Sequence, residues 1–242
     1  AELSLAIKIN NFAVSTRSYH ADSKAGGNTY YYDANLDKSL HNGGKYIDPL
    51  KTFPSDWADK AQQLAWFTAS TTGTGVFVLI KNDVDICASD FGAHETKESC
   101  YAIQSAINYS EFRCVIFADV PLNTSEKILI KNGMGLRGDH YTHNSRSTLK
   151  TSILNYSGTD DVIKLGETGA TARNITLKDI HLYDVLNTAR CGFIAYNAVG
   201  CDIDVVTTGF ENAAVIQNYL YYIEKFKVFG SSYRKNGLLI GG

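Results

Sequence analysis

The chain opens on strict alternation: Leu3, Leu5, Ile7 and Ile9 are apolar and Glu2, Ser4, Lys8 and Asn10 polar. This period of two predicts a strand with one buried face. A tyrosine-rich stretch follows, GGNTYYYDANLDKSLHNGGKYIDP, with turn signals at Gly26-Gly27 and Asn42-Gly43-Gly44 around short aromatic strands. In PSDWADKAQQLAWF, Ser55 or Asp56 is placed to cap a helix that carries Trp57, Ala61, Leu64, Ala65 and Thr68 on one side. GTGVFVLIKND returns to strand, so residues 1–82 are expected to form a small β module.

Past residue 82 the pattern changes. In DFGAHETKESCYAIQSAI, residues 90–107, Thr96 is placed as an N-cap and Cys100, Ile103, Ala106 and Ile107 form one apolar stripe. A helix with a single apolar face lies across another element rather than inside it. Short strands then follow, RCVIFAD, EKILIK and MGLRG, with a turn at Asn132-Gly133, and after them a repeat. DVIKLG, GFIAYN, AAVIQN and GLLIGG start at 161, 192, 213 and 237, steps of 31, 21 and 24 residues. A second set interleaves with them: NITLKDI, CDIDVVT and YYIEKFKV, in which Ile175, Ile203 and Ile223 align at steps of 28 and 20. Short strands at such a period predict a solenoid whose coils stack about 4.8 Å apart. Its first coil needs a cover, which the helix over 98–109 supplies.

These residues resemble the start of the pectin-lyase-like right-handed parallel β-helix of bacteriophage tailspikes and capsule depolymerases. Asp90-Phe91-Gly92-Ala93, the run Ala102-Ile103-Gln104-Ser105-Ala106-Ile107, Pro121 and Leu136-Arg137-Gly138-Asp139 match that family in order and spacing. The upstream tyrosine-rich segment looks like the small β module that precedes the helix in many tailspikes. One departure is HETKES, where members of the family commonly carry a Gly-Asp-Gly turn with paired aspartates. The resemblance implies an all-β chain: an N-terminal attachment module over 1–82, then the beginning of a right-handed parallel β-helix over 83–242, capped by an amphipathic helix. It further implies a homotrimer in the virion tail, joined to a baseplate or another tail protein. Such a spike assembles in the host cytoplasm and acts outside the cell, where it binds and depolymerises a capsular, O-antigen or exopolysaccharide by hydrolysis or elimination. The alternatives are a non-catalytic part that trimerises and attaches the spike, and a cellular polysaccharide lyase of the same fold. Because the sequence stops at NGLLIGG, part-way through the repeat, a longer spike is expected.

Composition narrows the partners. A net charge of −2 gives no basic footprint for nucleic acid or for an anionic membrane surface. The five cysteines, Cys87, Cys100, Cys114, Cys191 and Cys201, lack paired ligand spacing and are expected to be reduced core thiols. No metal or organic cofactor is expected.

With Ile175, Ile203 and Ile223 inward, alternation turns Asn174, Asp202, Asp204, Tyr222 and Glu224 outward. Asp204 and Glu224 would then stack on neighbouring coils about 5 Å apart, an arrangement in which two carboxylates share a proton as a glycosidase acid requires. Asp202 and Asp204 would sit about 6–7 Å apart, near the lower bound for an inverting pair. Tyr222 would stack a sugar ring and Asn174 hydrogen-bond to it. The competing reading is a solvated face in which these acids pair with Lys178, Lys225 or Lys227. His181, near Asp179 and Asp184, is either a catalytic base or an ordinary half-buried residue. Asp139, His140 and His143 are either a metal-like cluster or polar turn chemistry, with the turn the expected use. The clusters Tyr30–Tyr32 and Tyr219, Tyr221 and Tyr222 suit core or trimer interface better than glycan.

Overall fold

The computed structural model describes residues 8–68, 71–81, 86–109, 115–138, 153–223 and 225–241. The strand expected over Leu3 to Ile9, the Asp139, His140 and His143 cluster, Cys114 and Glu224 therefore lie largely or wholly outside the described residues. In the N-terminal part, β1 (Ala13–Ser15), β2 (Thr29–Asp37), β3 (Tyr46–Ile47) and β4 (Thr74–Leu79) form an antiparallel sheet in the order β1-β2-β4-β3. Tyr30 and Phe77 are fully buried beneath it, so the first of the three clustered tyrosines is core.

Two helices join this sheet to the rest. α1 (Lys60–Thr68) begins after Asp59, whose carboxylate accepts from the Ala61 N–H at 2.8 Å, rather than at Ser55 or Asp56. Its buried face is Gln63 and Trp66, not Leu64, which is 39% exposed. The reason is polar: Gln63 donates to the carbonyls of Trp57 and Glu98 at 2.9 Å each and accepts from the Tyr101 N–H at 3.0 Å. α2 (Cys100–Tyr109) buries the expected stripe Cys100, Ile103, Ala106 and Ile107. Its first N–H groups are satisfied by the Glu98 carboxylate, at 3.1 Å from Cys100 N, and by Gln63; Thr96 does not serve as the cap. The helix rests on the first coil, and Gln104 donates to the Leu129 carbonyl at 2.9 Å and accepts from its N–H at 2.8 Å. The lid expected from the sequence is in place.

Asp90-Phe91-Gly92-Ala93 rivets the two parts together. The Asp90 carboxylate, 2% exposed, accepts from Lys81 Nζ at 2.8 Å and from Cys87 N and Asn28 Nδ2 at 2.7 Å each. Phe91 is fully buried against Gly44, and Gly92 closes a short 3-10 turn at φ 92° with its N–H on the Ser89 carbonyl.

From there the chain winds as a parallel β-helix of three sheets. The first holds β5 (Val115–Phe117), β6 (Leu122–Thr124), β8 (Gly135–Arg137), β9 (Ile153–Tyr156), β12 (Thr176–Asp184), β15 (Asp202–Thr208) and β18 (Lys225–Ser231). The second stacks β7 (Ile128–Ile130), β10 (Ile163–Leu165), β13 (Cys191–Ala195), β16 (Asn212–Ile216) and β19 (Asn236–Ile240). The third is β11 (Thr171–Arg173), β14 (Asn197–Val199) and β17 (Leu220–Tyr221). All pairings within the three sheets are parallel. One continuous core runs from Tyr30 and Trp57 through Phe91 and Ile103 to Leu177, Ile203 and Ile216.

Ahead of each strand of the second sheet stands a charge, and its sign alternates from coil to coil: Lys127, then Asp160 and Asp161, then Arg190, Glu211 and Lys235. Lys127 pairs with Asp160 at 2.6 Å, Arg190 with Asp161, and Lys235 with Glu211 at 2.6 Å. The Arg190 N–H donates to the Asp160 carbonyl and the Lys235 N–H to the Glu211 carbonyl, which fixes the same register in the backbone.

Candidate functional site

The ladder register corrects the alignment expected for the first sheet. Ile203 pairs with Leu177 on one side and Phe226 on the other, not with Ile175 and Ile223. The cause is the corner before each strand, which holds a left-handed residue: Gly133 (φ 76°), Asn174 (φ 52°), Gly200 (φ 63°) and Tyr222 (φ 45°). After that turn the next residue points inward, as Ile175 and Cys201 do, both fully buried. Two inward apolar residues thus flank one outward residue, and alternation alone cannot say which of them belongs to the ladder. Asn174 and Tyr222 do share a corner, two coils apart with Gly200 between them. Asn174 is an exposed turn residue, and Tyr222 is 77% exposed with its ring 4.1 Å from that of Tyr221.

The residue opposite Asp204 is Lys227 on one side and Lys178 on the other, where the sequence alignment expected Glu224, which itself lies outside the described residues. Asp202 stands between Thr176 and Lys225. Lys178 Nζ lies 3.1 Å from Asp202, and Lys225 Nζ 2.6 Å from Asp204, an ion pair that raises the Lys225 pKa. Asp202 Oδ1 is buried with no hydrogen-bond partner among the described residues.

Further along the same strands a bulge at Asp179 (φ 55°) sets three steps of β12 against two of β15 and so keeps a second set of side chains outward, about 7 Å beyond Asp204 at ~3.3 Å per residue. One column is Ile153, His181, Val206 and Phe229; the next is Asn123, Asn155, Tyr183, Thr208 and Ser231. His181 Nε2 is 2.9 Å from Thr208 Oγ1, which is 2.8 Å from Ser231 Oγ, and Asn155 donates to Asn123 at 3.0 Å. Tyr183 is 37% exposed with its ring 5.9 Å from that of His181. Burial lowers the His181 pKa, so its imidazole is neutral at neutral pH and able to take a proton. Amides, hydroxyls and an open aromatic ring in a row are the groups that meet sugar hydroxyls and the C–H face of a pyranose. His181 is visible in the sequence. The Asn123, Asn155, Thr208 and Ser231 column is not, because its members lie in different coils and share only a register.

Tyr196, Tyr219, Tyr221 and Tyr222 crowd one exposed edge, 39–77% exposed. Among the described residues no group of three His, Cys, Asp or Glu side chains is arranged to hold a metal ion. Burial pushes up the pKa values of the Cys87, Cys100, Cys191 and Cys201 thiols, Cys87 and Cys191 to about 12.

No protein-family model matches the chain, and no curated protein matches it. Solved structures do. The tailspike of Acinetobacter phage vB_ApiP_P1 matches with a TM-score of 0.66 at 15% identity, over 96% of this chain and 38% of that one. The tailspike of Acinetobacter baumannii bacteriophage Fri1, a capsular polysaccharide depolymerase, matches with a TM-score of 0.60 at 14% identity, over 89% of this chain and 40% of that one. The enzymatically active domain of tailspike protein 2 of bacteriophage CBA120 matches with a TM-score of 0.57 at 14% identity, over 94% and 34%. The chain thus has the tailspike-like parallel β-helix fold and spans well under half the length of each of these proteins.

Proposed function

We propose that this chain is the capped beginning of a phage tailspike that binds and depolymerises a bacterial surface polysaccharide. The observation that carries this reading is the outward face of the first sheet, a polar and aromatic strip running across the coils on a tailspike-like fold. In this reading the glycan lies along Asn155, Tyr183, Thr208 and Ser231. A hydrolytic route would use Asp202 and Asp204, with Glu224 beyond them; an eliminative route would use neutral His181 as the base that takes the proton next to a uronate carboxyl group. Tyr222 and Asn174 would touch the glycan at the neighbouring corner. Residues 1–82 would attach the spike to the tail, and the tyrosine edge would face a second copy in a homotrimer.

The fold hosts many chemistries, so the test is chemical. The whole spike is incubated with host capsule, and both reducing ends and the absorbance of unsaturated products are followed. Release of reducing ends that Asp204→Asn or Asp202→Asn abolishes assigns hydrolysis to these carboxylates. Unsaturated product lost in His181→Gln assigns elimination. Absence of both products on the host's own glycan refutes the enzymatic reading. The ion pairs of Asp202 and Asp204 with Lys178 and Lys225 favour a second reading, a structural segment in which this face only stiffens the spike; full activity in all three variants supports it.

A further inference from the structure

On β9, β12, β15 and β18 the outward strip beyond the bulge is two residues wide. Its first column is Ile153, His181, Val206 and Phe229, and its second Asn155, Tyr183, Thr208 and Ser231. None of the eight is charged at neutral pH, since burial keeps the His181 imidazole neutral. Across four strands the strip is about 14 Å long at ~4.8 Å per step, the length of a short oligosaccharide. Apolar side chains flank its hydroxyls and amide on both sides. Phe229 is 51% exposed in the first column, where Ile153 is half-buried and Val206 buried. Val185 and Leu186, just past Tyr183, and Tyr233, just past Ser231, are exposed on the other side.

The charges of these strands stop short of the strip. Ahead of it on β12, β15 and β18 stand Lys178, Lys225 and Lys227 and Asp179, Asp202 and Asp204, three of each sign. Lys178 pairs with Asp202 at 3.1 Å and Lys225 with Asp204 at 2.6 Å, while Lys227 faces Asp204 across the ladder. Arg137 on β8 adds a cation beside Lys178, away from the strip. On the far side the charges ahead of the second sheet are paired too, Arg190 with Asp161 and Lys235 with Glu211. A uronate or phosphate laid on the strip would lose water to a surface with no cation of its own, which is costly for a charge. A sugar with hydroxyls alone would leave the apolar flanks unused.

Resting on the reading of this face as a glycan site, we propose that the strip selects a neutral polysaccharide whose repeat carries methyl groups, as 6-deoxy and N-acetylated sugars do. The methyl groups meet Phe229 on one side and Val185 and Leu186 on the other, and the sugar hydroxyls meet Asn155, Thr208 and Ser231. Such a glycan has no uronate carboxyl group to acidify a neighbouring C–H, so its cleavage would be hydrolytic rather than eliminative.

Surface polysaccharides of the host are separated by anion exchange into a neutral and an acidic fraction, and binding of each to the whole spike is measured by surface plasmon resonance alongside cleavage. The neutral fraction is expected to bind, with an affinity that changes less than about twofold between about 0.05 and 0.5 M salt, because no ion pair is made. Saturation-transfer NMR should show the strongest transfer on methyl protons. Phe229→Ser is expected to weaken binding about tenfold. Lys227→Gln should change it less than about twofold, with circular dichroism showing both variants folded. The proposal is overturned if the acidic fraction binds more tightly, if neither fraction binds, if ring protons outrank methyl protons in the transfer, or if a folded Phe229→Ser binds no worse than Lys227→Gln. A spike that cleaves the acidic fraction refutes this specificity and leaves the depolymerase reading standing. One that binds the neutral fraction and cleaves neither refutes only the enzymatic reading.

Discussion

Gly92→Ala is the sharpest test of how the N-terminal part is fastened to the β-helix. Gly92 holds φ 92°, where an L residue is strained, and a Cβ there would lie 2.4 Å from Tyr19 Cε1 and 2.8 Å from Trp57 Cζ2. The backbone term is about 1–2 kcal/mol. Overpacking of rings locked in an aromatic cluster adds about 1–3 kcal/mol, because Tyr19 and Trp57 already touch at 5.7 Å between centroids and have little room to yield. The expected loss is therefore about 2–5 kcal/mol. Gly73 separates the two terms: it has φ 97° but nothing within 4 Å of its Cβ position. Gly73→Ala should cost only the backbone part, about 1–2 kcal/mol. Urea unfolding of the two variants, with m-values compared to confirm a common transition, measures both. If Gly92→Ala is no more destabilising than Gly73→Ala, the close packing at the junction is not a constraint and the reasoning fails.

Asp90→Ala strips the partner from the partly buried Lys81 and leaves the N–H groups of Cys87 and Asn28 unmet; a loss of about 3–5 kcal/mol in chemical denaturation is expected, and less than 1 kcal/mol would contradict the rivet. Ile203→Ala, fully buried between Leu177 and Phe226, should cost about 2–5 kcal/mol, while Asp204→Ala on the outward side of the same strand should cost under about 1 kcal/mol, so equal losses in the same unfolding assay would reverse the face assignment. Stability should fall with acid. Burial sets the folded pKa of His20 and of His41 at about 4, below the unfolded 6.5, so the unfolded chain takes up the proton first and stability is lost as pH falls from 6.5 towards 4. Between pH 7 and 5 the loss is about 2 kcal/mol per histidine, and a urea midpoint that does not move over that span would show both rings already accessible.

The sequence showed the architecture well and the site poorly, for a physical reason. The α2 stripe and the repeated apolar pairs are local patterns, and burial enforces them: the steps of 21 and 24 residues in the second sheet recur as Phe193↔Ala214 and Ala214↔Leu238. The first step is 30 residues, Ile163↔Phe193, one less than the sequence alignment suggested. In the first sheet the corner misled, because a left-handed Asn174, Gly200 or Tyr222 places an inward residue outside the ladder. The face of α1 misled for another reason: Gln63 is buried to satisfy backbone groups of other segments, a demand that hydrophobic periodicity does not record. The outward column of Asn155, Tyr183, Thr208 and Ser231 depends on register across coils, so it becomes visible only when the coils are stacked.

The alternating charges ahead of the second sheet bear on how such a β-helix can lengthen over evolutionary time. Each coil presents the opposite sign to the one below it, from Lys127 through Asp160, Arg190 and Glu211 to Lys235. Duplicating one coil inside this run would set like charges on adjacent rungs, where their side chains are a few ångströms apart and repel. Duplicating two would preserve the alternation. Growth by pairs of coils is thus the tolerated step, and a single inserted coil should survive only with a compensating change of sign at this one position.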